Sequence, residues 1–358
     1  MGATFGRNIR MTIFGESHGK GIGLVLDGLP PGTPIDEAFI KEEMARRAPG
    51  QNLMSTQRQE KDAFIIESGV FEGRAAGTPV CVLILNSDRH SKDYSILKNR
   101  MRPGHADYAG KIRYQGFNDY RGGGHFSGRL TAPLVFTGAV AKTILAKKGI
   151  TVGAHIARIG QVTDSLFNPL GETEACLREL RKQVLPVLEP DKAALLEAEI
   201  MTAREQRDSV GGVVEVMATG MPPGIGDPFF DSLESRLSHA LFSVPAVKGV
   251  EFGTGFGIAA LKGSEANDPM TFAGGTVKTT RNHNGGITGG ITNGMPVLFR
   301  VAIKPTPSIS RPQQTVDLAA GKDTVLEIKG RHDPCIVPRA VPVIEAVTAW
   351  VLLDMLLE

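Results

Sequence analysis

Gly23-Leu24-Val25-Leu26-Asp27-Gly28-Leu29-Pro30-Pro31-Gly32 and Val213-Val214-Glu215-Val216-Met217-Ala218-Thr219-Gly220-Met221-Pro222-Pro223-Gly224 share one grammar, an apolar strand running into a Gly-x-Pro-Pro-Gly turn. Glycine and proline punctuate in this way because one supplies unusual backbone angles and the other fixes φ and removes a donor. Each turn is followed by a helix signal. Asp36 is placed to cap a helix through Arg47, stopped by Pro49-Gly50, and Asp231 to cap one through Leu241. A further match follows in each half: Gly77-Thr78-Pro79-Val80 opens an apolar strand through Leu85, and Gly294-Met295-Pro296-Val297 opens Leu298 to Ile303.

Working outward from these repeats, the spacing predicts two pseudo-related halves, 1–150 and 208–358, joined by helices over 151–207. Thr131 to Lys148 carries an apolar stripe with Gly149 just past its end, the signature of a helix C-terminus. Glu172 to Leu185, Asp191 to Arg207 and Val343 to Leu357 read as further helices, the last apolar on most faces and therefore buried. Strands without regular βαβ alternation give the fold class as α+β, with antiparallel or mixed sheets and helices layered around one core.

Composition limits the function. Forty basic against thirty-eight acidic residues leave a net charge of +2, too balanced for a general grip on nucleic acid or an anionic membrane. Cys81, Cys176 and Cys335 show no Cys-x-x-Cys spacing, so neither a disulfide framework nor a zinc knuckle is written here. A reducing compartment follows. No basic region precedes an apolar core at the N-terminus, and no apolar run approaches about 18 residues, so the expectation is a soluble, cytoplasmic chain.

Chemistry concentrates in loops. His18 lies in Phe14-Gly15-Glu16-Ser17-His18-Gly19 and His105 in Arg102-Pro103-Gly104-His105-Ala106-Asp107, where flanking glycine and proline favour proton transfer over core filling. Arg46, Arg47, Arg58 and Arg129 cluster at turns, and guanidinium forks suit carboxylates and phosphates. For Arg46 and Arg47 the alternative is complementing the helix dipole, about 0.3–1 kcal/mol each. Arg121-Gly122-Gly123-Gly124-His125-Phe126-Ser127-Gly128-Arg129 runs into a helix start, an arrangement suited to phosphate but without Walker or dinucleotide spacing. Asn284 to Gly294 carries paired glycines that suit either a planar ligand or a tight hairpin. Arg331-His332-Asp333-Pro334-Cys335 places three ionisable side chains before a proline. Metal ligation by His18, His105, Asp107 and Asp333 is the competing use, although no recognised ligand spacing joins them.

Taken in order along the chain, these stretches resemble the chorismate synthase family. The resemblance covers nearly the whole sequence and rests on Phe14 to Gly19 through Gly28, Arg102 to Tyr108, Asp119-Tyr120-Arg121-Gly122-Gly123-Gly124, and Gly330 to Cys335. It implies a lyase that converts 5-enolpyruvylshikimate 3-phosphate to chorismate and phosphate by anti 1,4-elimination. It also implies reduced FMN, for which NADPH is a candidate indirect reductant, and a homotetramer; the sequence shows no inserted reductase-like module, which favours an external flavin reductase. The need for a cofactor is physical: the C6 hydrogen is next to no carbonyl, so a simple base gains little purchase on it.

Roles carry over by motif. The resemblance makes His18 the acid near the leaving phosphate with Ser17 beside it, His105 the group that protonates or steadies the reduced flavin, and Asp333 a partner in taking the C6 proton. It turns Arg46, Arg47, Arg58 and Arg129 into a substrate clamp, with Arg47 touching nicotinamide nucleotide in members that reduce their own flavin. FMN contacts map to His125, Phe126, Ser127, Pro245, Ala246, Gly289, Lys304, Pro305, Thr306, Pro307, Ser308 and Arg331. Family members commonly carry Arg-Ser-Ser-Ala-Arg where this chain has His125-Phe126-Ser127-Gly128-Arg129, Asn at Pro245 and Arg at Leu53. Phe126 has no side-chain hydrogen bond to give, and Pro245 no backbone N–H. Two competing readings are a flavin-dependent oxidoreductase and an FMN- or phosphate-binding regulator; the first lacks a dinucleotide fingerprint, and the second leaves the two histidines and Asp333 unexplained.

Overall fold

Asp36 accepts from the Phe39 backbone N–H at 3.0 Å and so caps helix α1, Glu37–Arg47, whose last turn carries Arg46 and Arg47. The computed structural model describes residues 2–50, 62–86, 96–328 and 332–358. Before α1 come strands β1 (Thr4–Phe5), β2 (Arg10–Gly15) and β3 (Gly21–Asp27); after it come β4 (Phe64–Ser68) and β5 (Val80–Leu85). They form one antiparallel sheet in the order β1-β2-β3-β5-β4.

A second antiparallel sheet contains β6 (Thr151–Ile159), β7 (Val162–Thr163), β8 (Gly212–Thr219), β9 (Val247–Phe252) and β10 (Val297–Ile303), in the order β9-β10-β8-β6-β7. The two sheets are wired alike. In each, a Gly-x-Pro-Pro-Gly turn leads from a central strand into a helix, the next strand goes to the edge, and the following one inserts between them. The remaining helices are α2 (Asp107–Arg113), α3 (Ala132–Lys147), α4 (Glu174–Lys182), α5 (Lys192–Glu205), α6 (Leu233–Ser243), a short turn of helix at Gly263–Ala266, and the C-terminal helix Val337–Leu356, here αC.

Helices α3 and αC form the middle layer between the sheets, and Gly138 of α3 sits where any Cβ would lie 2.2 Å from the Ala346 backbone of αC. That close crossing buries Phe136, Val140, Leu145, Val347, Trp350 and Val351 with the inward rows of both sheets, for example Leu24 and Val82 below and Val216 and Phe299 above. The α+β architecture with helices between antiparallel sheets follows.

Three boundaries differ from the sequence reading. The segment 151–207 is not wholly helical, because it opens with β6, a central strand of the second sheet. The C-terminal helix starts at Val337, with Pro338 in its first turn where its missing N–H costs little, and it continues through Pro342. Helix α6 is capped by Ser232, whose hydroxyl accepts from the Ser235 N–H at 3.1 Å, and not by Asp231, which pairs with Arg7. Among the described residues Arg121–Lys147 is long and apolar enough by length and composition to cross a membrane, contrary to the expectation that no run would be; 72% of its apolar window is buried inside the fold.

Candidate active site

The ends of these elements surround a cavity of about 1220 Å³. Its walls come from the C-terminal end of α1 (Arg47), the Arg102–Ala106 turn, the glycine loop from Gly122 to Leu130, the stretch from His239 through Lys248, residues 304 and 306–308 after β10, and His332, Asp333 and Arg339. Loops between rigid layers supply the polar groups. An apolar end is closed by Phe5, Ile13, Leu134, Phe242 and Trp350.

The wall carries a large excess of positive charge. Arg47, Arg102, Arg113, Arg129, Lys248, Lys304 and Arg339 line the cavity, and Asp333 is the one carboxylate among the lining residues. Two further carboxylates stand behind the wall. Buried Asp62 receives Arg47 Nε at 2.8 Å, a second Arg47 nitrogen, and Arg129 Nη1. Burial opposes its ionisation, but the two guanidiniums outweigh it and hold the carboxyl below the usual range. Arg129 also donates to Asn86 Oδ1 at 3.1 Å. Asp107 is likewise held well below the ordinary carboxylate range: burial raises it, and bonds from Arg102 and His105 more than offset that.

Glycine makes the loop possible. Gly122, Gly123 and Gly124 all have positive φ, and a Cβ on Gly122 would lie 2.1 Å from the His18 ring. His18 therefore lies directly behind Gly122, buried, with Nδ1 3.1 Å from the Ser17 hydroxyl. Ser17 Oγ is also within reach of the carbonyls of Arg121 and Gly122, at 3.3 and 3.1 Å. Asp333 accepts from Arg339 Nη1 at 2.6 Å, and Arg339 Nε donates to the Arg47 carbonyl at 2.9 Å.

Of the residues expected from sequence, the cavity brings together Arg47, His105, His125, Phe126, Ser127, Arg129, Pro245, Ala246, Lys304, Thr306, Pro307, Ser308 and Asp333. Ser17 and His18 stand behind its wall, and Pro305 does not line it. Arg46 is a correction: its guanidinium turns into the core, donating to Glu345 at 2.7 and 2.9 Å and to Glu43 at 3.1 Å, so it has no part in a clamp at the cavity. Gly289 is another, because it is exposed at the turn of the Ile287–Thr288/Ile291–Thr292 hairpin, outside the cavity. Arg58, Arg331 and Leu53 lie outside the described residues.

Phe126 packs its ring against Tyr114 and over Gly110, where a Cβ would meet it at 2.5 Å, and His125 Nδ1 lies 3.0 Å from the Gly15 carbonyl. Sequence reasoning missed Asp62, Arg339, Lys248 and the pairing of Arg102 with Asp107. Arg102 and Asp107 had a signal, since they bracket His105 within one motif; Asp62 and Arg339 had none.

Comparison with known proteins agrees over the full length. A model of the chorismate synthase family matches residues 9–357. Chorismate synthase of Pyrococcus abyssi is 49% identical over 354 residues, covering 98% of this chain and 97% of that one. The Methanocella arvoryzae enzyme of the same name is 48% identical over 361 residues, covering 100% and 95%. A crystal structure of chorismate synthase superposes with a TM-score of 0.75 at 32% identity, covering 99% of this chain and 93% of the other. The chain belongs to the chorismate synthase family, and is on that ground an enzyme, a lyase acting on a phosphate-bearing substrate.

Proposed function

We propose that this enzyme eliminates phosphate from 5-enolpyruvylshikimate 3-phosphate to give chorismate, with reduced FMN bound beside the substrate. The observation that carries the reading is the cavity wall, which among the described residues has seven cationic side chains against Asp333 on the wall and Asp62 and Asp107 behind it. A ligand with two carboxylates and a phosphate answers that imbalance, and a neutral or cationic one would leave it uncompensated.

The cavity suits a flavin nucleotide as well as substrate. One drug-sized ligand needs about 300–1,000 Å³. The volume of about 1220 Å³, with an apolar end and a cationic rim, exceeds that. Phe126, Ser127, Ala246, Lys304, Thr306, Pro307 and Ser308 would hold the flavin, and Pro245 would contribute its ring without a donor. Reduced FMN, when bound, supplies electron density that helps expel phosphate and is returned, so the reaction has no net redox change.

The chain's own residues divide the remaining work. Arg47 and Arg129, fixed through Asp62, bind anionic groups of the substrate at a wall that needs no reorganisation. His18, set by Ser17 behind Gly122, delivers a proton to the departing phosphate. His105 places an imidazole against the flavin's position. Asp333, oriented by Arg339, takes part in removing the C6 proton. The same reading includes a cytoplasmic homotetramer supplied by an external reductase, with NADPH as an indirect electron source. Exposed Phe229, Phe230, Phe256, Met270 and Phe272 support association, since water-facing apolar groups of this size mark interfaces.

The test is an anaerobic assay with chemically reduced FMN and enolpyruvylshikimate phosphate, followed by chorismate absorbance. Turnover is expected with reduced FMN and not with oxidised FMN plus NADPH; no turnover with reduced flavin overturns the reading. His18→Ala and His105→Ala should each lower the rate by about 10²–10⁴, and near-normal rates would return that histidine to a structural role.

A further inference from the structure

We propose that Asp107 is a positioning residue for His105, fixing its tautomer and ring orientation so that Nε2 is the nitrogen presented at the cavity wall. Asp107 Oδ1 lies 2.7 Å from His105 Nδ1, and the carboxylate is itself held in a fork by Arg102, whose Nε reaches Oδ2 and Nη2 reaches Oδ1, both at 2.7 Å. The Arg102 backbone N–H adds a bond to Oδ2 at 3.0 Å, and Arg102 Nη1 donates to Ser308 Oγ at 3.1 Å. Both Asp107 and Arg102 are buried.

Arg102 Nη2 also approaches His105 Nδ1 at 3.2 Å, which would suit an unprotonated Nδ1. The shorter contact decides the matter. An ionised carboxylate oxygen 2.7 Å from Nδ1 disfavours a lone pair there and favours a hydrogen, whereas the Arg102 hydrogens already have the carboxylate and Ser308 as acceptors. Nδ1 therefore carries hydrogen. On the other side of the ring a Cβ on Gly123 would stand 3.1 Å from Nε2, so Nε2 faces the glycine loop.

Arg102 neutralises Asp107, so the pair contributes chiefly orientation and tautomer, as a carboxylate does behind other working imidazoles. The charged groups around the imidazole are Arg102 and Asp107 on its own segment and Lys304, which follows β10 and donates to the Gly104 carbonyl.

The inference rests on the proposed reaction for its rate readout, but the tautomer can be read without turnover. In ¹⁵N-histidine-labelled protein, long-range N–H spectra assigned with His105→Gln should show the Nδ1–H form in the wild type and a mixture in Asp107→Asn. In the reduced-FMN assay Asp107→Asn should lower kcat by roughly 10–100-fold with substrate KM nearly unchanged, and Asp107→Glu should restore most of the loss. An Nε2–H tautomer in the wild type, which needs no variant, overturns the proposal. So does a folded Asp107→Asn enzyme with unchanged tautomer and kcat. Absence of wild-type turnover overturns the reaction, while the spectra still decide on Asp107.

Discussion

Arg46 and Arg47 are neighbours at the end of one helix, yet they serve opposite ends. One residue turns an α-helix by about 100°, which sends Arg46 into the helical layer and Arg47 to the cavity. In the helical layer Arg46 and Lys142 face Glu43 and Glu345, with Lys142 Nζ 2.6 and 2.5 Å from the two carboxylates. Arg181 Nε adds a third cation 3.6 Å from Glu43. Despite burial, Arg46 and Lys142 hold Glu345 down to about 2, and the carboxylates in turn raise Arg46. At the cavity Arg47 and Arg129 both reach the carboxylate of Asp62. The first cluster ties helices together away from the cavity, and the second presents its guanidiniums at the cavity wall.

The largest effect should come from breaking the buried cluster in the core. Arg46→Met keeps volume but leaves buried Glu345 to Lys142 and Glu43 to Lys142 and the more distant Arg181, a loss of about 3–5 kcal/mol in unfolding free energy measured by denaturant titration. Arg47→Met leaves Asp62 the guanidinium of Arg129, so its stability cost should be the smaller of the two; its kcat/KM for the phosphate substrate should fall steeply. Equal losses of stability in the two variants would break the comparison.

A second buried cluster sharpens it. On the outer face of the second sheet, fully buried His155 has Nδ1 3.2 Å from Asp164 and Nε2 3.0 Å from Glu215, and Glu215 also accepts the Phe167 N–H at 2.7 Å. Burial alone would lower the imidazole, but Asp164 and Glu215 overcome it and raise its proton affinity. A raised folded value means that the stabilisation is complete below the unfolded value of about 6.5 and is lost as pH rises through the folded one. Thermal midpoints should therefore decline by a few degrees on going from neutral to alkaline buffer, and His155→Gln should remove that decline. A wild-type midpoint that rises over the same range would refute the charge assignment.

These clusters also show how far the sequence could be read. The Gly-x-Pro-Pro-Gly turns, Asp36 as a cap and the helix ending at Arg47 are local signals, and they were legible because their causes lie within a few residues. The strand Thr151–Ile159 was not, since Gly153, Ala154 and Ala157 blur its alternation and its pairing with β8 is distant in sequence. His18 and His105 were legible through their glycine-rich motifs. The destination of Arg46 was not, because its partner Glu345 lies on the C-terminal helix, 299 residues away. Asp62 was invisible for the same reason: only folding brings it between Arg47 and Arg129.

The smallest effect on stability, and the most local test of the cavity wall, comes from Gly122→Ala set against Gly274→Ala. Both glycines have φ of +58°, so alanine pays a similar conformational penalty at each, about 1 kcal/mol. Their surroundings differ. A Cβ at Gly274 meets nothing within 4 Å, but at Gly122 it would stand 2.1 Å from the His18 ring and 2.8 Å from Ser17 Oγ. Any shift that relieves the clash moves the imidazole that the proposed reaction uses. Gly122→Ala should thus lower kcat by about 10²-fold with a melting midpoint close to that of Gly274→Ala, and Gly274→Ala should retain the parental rate. Equal activity in the two folded variants would show that the position of His18 behind the glycine loop is immaterial to turnover.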